Sequence, residues 1–289
     1  MTTQTNYNKS IIGTPRKNYE DIPDLTDEII ARCNEPDEPI KEIPKVNKKK
    51  GSNLEKKTGE SSIVNPSSIV VPANIVSSDY IQIPGQDFII AIGETDFNLN
   101  YEGANKAVLK RGLAVPTTNQ FMAFHNYIID CYKNNKPIFD SAGNSLSKKV
   151  KDDLYNQLTS NCWSWLNGKF NLSNNKNKIE LITGLDSKNN LITKEEPLEI
   201  CLMQDCYVDF TKLNKNGIPH INSKHSNQNY VKGENIYYWA PVNGRVARVS
   251  ADSDGANLGC SRNPSNTSSS LGVFGIAQVL DPKLAGGKK

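Results

Sequence analysis

The chain has 289 residues, 37% of them hydrophobic, and 34 basic against 31 acidic side chains leave a formal net charge of +3. A mean hydropathy of -0.55 is low for a chain buried throughout, so part of it is expected to lie outside any core. The balance of charge gives no basic face that would argue for nucleic acid. No stretch approaches the apolar length of a membrane span, and Met1 is followed by TTQTNYNKS rather than a basic then apolar run, so neither a span nor a secretory signal is expected.

Residues 1–75 are polar and punctuated by Pro15, Pro23, Pro36, Pro39, Pro44, Pro66 and Pro72. Each proline removes a backbone donor and biases its predecessor away from helix. Only Leu25–Cys33 offers a short helix, with Thr26 as its N-cap. Such a segment cannot fold alone. It is either an unstructured tail or an extended docking arm with small apolar plugs at Ile11-Ile12, Ile29-Ile30 and Ile69–Val71, and the docking arm is the expectation.

Residues 76–289 read as one folded domain. Phe88–Ile92 is a buried strand ended by Gly93. Gly103–Arg111 is a short helix closed by Gly112. Thr117 or Thr118 caps a second helix whose apolar stripe is Phe121, Phe124, Ile128, Cys131 and Tyr132, with His125 at the edge of the core. A turn at Asp140–Asn144 precedes a third helix over Ser147–Leu158. In the extended segment after it, Trp163 and Trp165 point the same way and both read as core. Short strands follow at Ile179–Ile182, Leu198–Met203, Tyr207–Phe210 and Ile236–Pro241. The last turns through Val242–Arg245 as an Asn-Gly hairpin into Arg245–Val249. Helices first and antiparallel strands afterwards predict an α+β fold.

Chemistry is sparse. Six scattered cysteines, of which only Cys201 and Cys206 are close, make neither a disulfide framework nor a pair of zinc knuckles. Buried free thiols are expected. His220 and His225 lack nearby carboxylates or thiols, so no metal site is expected. Between Arg245–Val249 and a final strand at Leu271–Val279 run some twenty small polar residues that show neither a helical face nor a strand pattern, and loops of this kind often carry binding residues.

Three motifs occur in order: GLAVPTTNQFMAF, SNCWSWLNGKF and GRVARVSADSDGANLGCSRNPSNTSSSLGVF. Together they resemble the formylglycine-generating-enzyme-like branch of the C-type lectin fold, whose counterparts are a G-x-R-L-P-T-E-A-E-W helix, a G-N-V-W-E-W segment and an R-G-G-S-W … R … N-L-G-F-R ending. Within that branch the chain is most similar to the variable proteins that retroelements diversify in phages and cellular hosts. The resemblance implies a C-type lectin-like domain at 76–289, displaying its C-terminal face to a ligand. Asp252, Ser253, Asp254, Gly255, Asn257, Ser261, Asn263, Ser265, Asn266, Ser268 and Ser269 are of the type found at diversified positions.

The ligand-binding residues expected on this basis are Asp252, Ser253, Asp254, Asn257, Ser261, Asn263, Ser265, Asn266 and Ser268, with Tyr237 and Trp239 nearby. The enzymes of the branch use a close pair of cysteines in the ending motif. Here Cys260 stands alone, so no catalysis and no cofactor are expected. Calcium-dependent sugar signatures are also missing, and Asn263-Pro264 resembles only a fragment of one, leaving calcium unsupported. The expected protein is virion-attached. Residues 1–75 would hold capsid or tail proteins, and the C-terminal face would meet a host surface protein or glycan from a homo-oligomer such as a trimer. The alternative is a purely structural capsid or tail accessory, cementing or fibre-forming.

Overall fold

A computed structural model describes residues 75–279 apart from 174, 175, 211, 227 and 228. They belong to the larger of two units into which the chain divides, Glu60–Lys289. The expected arm over 1–75 lies outside the described residues except for Ile75, which packs against apolar side chains of the domain.

Three helices form where caps and periodicity agree. Helix α1 (Tyr101–Lys110) starts at Asn100, whose side chain accepts from the Gly103 N–H, and ends before Gly112 at φ +76°. Helix α2 (Thr118–Lys133) has a capping box: Thr117 accepts from the Gln120 N–H, and the Gln120 side chain accepts from the Thr117 N–H. Helix α3 (Lys148–Ser160) is capped by Ser147. Phe121, Phe124, Ile128 and Cys131 of α2 are buried as expected. Tyr132 is 41% exposed and stacks on Tyr155 of α3 instead, with ring centroids 3.7 Å apart. His125 faces fully inward, against Phe210 and Phe121, rather than sitting at the core edge.

The strands build two sheets. Strand β1 (Tyr80–Gln82), β2 (Phe88–Thr95) and the last strand β11 (Val273–Gln278) make a three-stranded sheet in the order β1-β2-β11. Gly93 does not end β2, which pairs with β11 through Thr95. Eight strands form the larger sheet: β3 (Cys162–Asn171), β4 (Lys178–Leu185), β5 (Leu191–Pro197), β6 (Cys206–Val208), β7 (His225–Ser226), β8 (Ile236–Trp239), β9 (Val246–Asp252) and β10 (Gly255–Arg262). Their order is β5-β4-β3-β9-β10-β8-β6-β7. Helices and largely antiparallel sheets make the α+β class plain.

Three expectations fail in the larger sheet. Leu198–Met203 is not a strand: Ile200 and Met203 point to solvent, and the Leu202 N–H donates to Pro219 O instead of a ladder. Val242–Arg245 turns, with Gly244 at φ +72°, but closes no hairpin. The Gly244 N–H donates to Phe170 O and the Phe170 N–H to Arg245 O, so β3 captures the turn. Strand β8 then lies one strand away from β9, parallel to β10. The third failure matters most. The stretch after β9 is not one long loop, because Gly255–Arg262 is a central strand joined to β9 by the short turn Ser253-Asp254.

Two apolar clusters hold the sheets. The larger packs Phe121, Phe124 and Ile128 of α2 and Leu154 and Leu158 of α3 against Val249, Ala251, Leu258 and Phe274. The smaller centres on Trp165, which no solvent reaches, with Tyr101, Val108, Leu113 and Val273. Trp165 meets the Tyr101 ring edge-on at 5.9 Å and donates its Nε1–H to Leu99 O. Asn167 stitches β3 to β4 by donating to Ile182 O and accepting from the Ile182 N–H. Trp163 shares the orientation of Trp165 but is only partly buried, so it is core on one side alone.

Candidate ligand-binding face

Residues paired across a ladder point to the same face of a sheet, so the register can be read as rows. One row runs Tyr207 (β6), Tyr237 (β8), Asn257 (β10), Ser250 (β9) and Trp163 (β3). The next runs Trp239 (β8), Gly259 (β10), Arg248 (β9) and Trp165 (β3). At about 4.8 Å between strands, the first row spans roughly 20 Å. The opposite face carries Tyr238, Leu258 and Val249 into the larger cluster. On the row side the smaller cluster covers Trp165, while Tyr207, Tyr237, Trp239, Asn257 and Trp163 stay partly exposed. Their rings interlock: Tyr237 meets Tyr207 edge-on at 4.9 Å and Trp239 at 5.0 Å.

The expected site residues fall into three groups. Tyr237, Trp239, Asn257 and Ser261 lie on β8 and β10. Asp252, Ser253 and Asp254 form the turn at one end of β10, where the Asp254 N–H donates to Asp252 Oδ1. Asn263, Ser265, Asn266 and Ser268 lie in the loop at the other end, where Asn263 Oδ1 accepts from the Ser265 N–H. The backbone fixes that loop to the start of α1, because Pro264 O accepts from the Tyr101 N–H and Ser268 O from the Asn98 N–H. A strand of this length holds the two ends about 25 Å apart, so the structure does not gather them into the single patch the sequence suggested. Gly255 is not free to vary either. Its φ is +136° and a Cβ there would meet the Tyr230 ring at 2.8 Å.

Sequence reasoning passed over two arginines on this face. Arg248 is 7% exposed and its guanidinium lies 4.7 Å from the Trp163 ring; Arg262 lies 5.4 Å from the Trp239 ring. Gly259 leaves the space between them, since a Cβ at that position would come within 2.7 Å of Arg262 Nε. Among the described residues neither side chain has a hydrogen bond or an ion pair, and Nε of both is buried without an acceptor, as is Trp239 Nε1. Burial, then the neighbouring Arg262 charge, lowers Arg248 to about 9; burial also lowers Arg262, opposed by Cys260 and by the nearby Asp205 carboxylate. Cation–π contact returns about 0.5–2 kcal/mol per pair, which offsets only part of the cost of partly desolvating two neighbouring like charges. The signal was available: Arg248 is the one charged residue inside the apolar run Val246–Val249.

Other reactive groups are quiet. Cys131, Cys162, Cys201, Cys206 and Cys260 are free and buried, and burial pushes the thiols of Cys162 and Cys260 well above their ordinary range. A thiol held protonated is a poor nucleophile. Among the described residues there is no group of three or more His, Cys, Asp or Glu placed to hold a metal, and no helix is long and apolar enough to cross a membrane. Clefts of about 310 Å³ beside the start of α2 and about 230 Å³ beside β6 and β7 are lined by none of the expected site residues. Comparison with models of known protein families, with curated proteins and with solved structures finds no match for this chain.

Proposed function

We propose that the chain is a non-catalytic, virion-attached binding protein whose α+β domain is C-type lectin-like and presents the β8–β10 face to a host surface protein or glycan. Residues 1–75 would anchor it to capsid or tail proteins, and several copies on a particle, as a trimer for example, would raise a weak single-site affinity. The observation that carries this reading is the partly exposed row Tyr207, Tyr237 and Asn257 with Trp239 beside it, borne on inner strands whose opposite side is core. Aromatic side chains supply contact area at low entropic cost, and Asn and Ser supply adaptable hydrogen bonds. The buried, protonated thiols and the motif resemblance support binding over catalysis. Exposed positions on such a frame can change at about 0.5 kcal/mol or less each.

The test is joint replacement of Tyr237 and Asn257 by alanine in particles that carry the protein. Normal assembly with poor adsorption supports the reading. Failed assembly favours a cementing role, and unchanged adsorption removes the binding role of this face.

A further inference from the structure

We propose that Arg248 and Arg262 form an oxyanion site that recognises the carboxylate of an acidic saccharide. The assignment rests on the binding reading above and names the ligand class of the same face. Three observations meet there. Arg248 is more than nine-tenths buried, and neither guanidinium has a hydrogen bond or ion pair among the described residues. The two cations are neighbours: Arg248 lies opposite Gly259 in the β9–β10 ladder, a Cβ on Gly259 would come within 2.7 Å of Arg262 Nε, and the Arg262 charge disfavours the charge on Arg248. Trp163 and Trp239 hold the two guanidiniums from either side across the gap at Gly259. Asp205 is a nearby opposite charge for Arg262 but makes no hydrogen bond or ion pair with it among the described residues. A fold keeps two such partly desolvated cations together most economically when an anion completes them, and a guanidinium pair suits a planar carboxylate with parallel N–H donors.

The surroundings select the rest of the ligand. Asp205, whose Oδ1 accepts from the Ala240 N–H, and Asp252 flank the two rows. Those carboxylates oppose a polyanion such as nucleic acid while tolerating a single charge. Strands β8, β9 and β10 are internal to the eight-stranded sheet, so no free edge is offered for a peptide to add as a strand. The rows supply Tyr207, Tyr237 and Asn257, groups that meet sugar hydroxyls and C–H faces.

The experiment uses the full chain with four probes: glucuronate, inorganic sulfate, glucose and an acidic peptide of aspartates, each titrated by NMR and by thermal shift. Glucuronate is expected to bind at millimolar strength and to raise Tm, with glucose inert. Arg262→Gln is expected to weaken glucuronate about tenfold or more, and Arg262→Lys by less, because it keeps the charge but loses the fork. Arg262 is the partly exposed member of the pair, and Arg262→Lys keeps the test open if the glutamine variant folds poorly. Glucuronate no better than glucose, sulfate binding without glucuronate binding, a stronger response to the aspartate peptide, or unchanged affinity in both variants would each overturn the assignment. Poor adsorption of the Tyr237/Asn257 variant alongside absent glucuronate binding would remove this ligand and leave the binding role standing. Glucuronate binding with unchanged adsorption would do the reverse.

Discussion

Glu94 on β2 is the clearest place where the fold sets a dependence on pH. Its Oε1 accepts from the Trp163 N–H at 3.2 Å and faces the Cys162 thiol at 3.9 Å, and its Oε2 accepts from Gln157 at 3.4 Å. These contacts favour the ionised carboxylate, yet burial outweighs them and pushes the group up to about 8. The folded chain therefore holds a proton that the unfolded chain releases near pH 4.5, and stability falls as pH rises from there through about 8. The ceiling is about 1.4 kcal/mol per pH unit, or about 4–5 kcal/mol over that window. Residual solvent contact at the carboxyl reduces this, and about 2 kcal/mol between pH 5 and pH 8 is the working figure. Glu94→Gln keeps an acceptor for the Trp163 N–H and cannot ionise. Urea unfolding of both proteins at pH 5, 6.5 and 8 should show nearly equal midpoints at pH 5 and a variant advantage of about 1 M at pH 8, for an m-value of about 2 kcal/mol/M. Parallel midpoints across the range would refute the reasoning.

Three further outcomes follow from the same packing. Burial lowers His125 to about 4, so the unfolded chain binds a proton that the folded one does not, and stability falls as pH drops from about 6.5 towards 4. His125→Leu should flatten that acid limb in the same urea series. Gly217 sits at φ +76°, and a Cβ there would come within 2.3 Å of the Asn119 backbone, so Gly217→Ala should cost about 3 kcal/mol or more by chemical unfolding. Trp165→Ala empties the centre of the smaller cluster and leaves Leu99 O without its donor; a loss of about 3–5 kcal/mol is expected from the lowered midpoint.

Much of the frame was legible because several local signals agreed at once. Thr117 and Ser147 cap helices whose apolar stripes were already periodic, whereas the Asn100 cap went unread and α1 starts two residues before the expected Gly103. Size marked both Trp163 and Trp165 as core, and only Trp165 is fully buried. The site was less legible. GANLGCSR has small side chains and two glycines, poor material for a strand by propensity, and it becomes one because β9 and β8 pair with it on both sides. Leu198–Met203 misled in the opposite direction: its apolar residues bury Cys201 and Leu202 side by side, leave Ile200 and Met203 in solvent, and have no partner strand. Arg248 and Arg262 lie fourteen positions apart in sequence, and only the β9–β10 register brings them to one place. No periodicity in either segment carries that information.

The position of β9 and β10 also bears on how the chain is made. They separate β3 from β8, so a chain stopped at residue 245 would leave both strands with open edges that templates for aggregation exploit. During synthesis those edges wait until residues 246–262 have emerged, about 1–3 s at ordinary elongation rates. The β9–β10 hairpin, closed by Ser253 and Asp254, can form within microseconds once free. Its insertion then seals both edges in one step, making the β9–β10 hairpin the closing piece of the sheet as well as its centre.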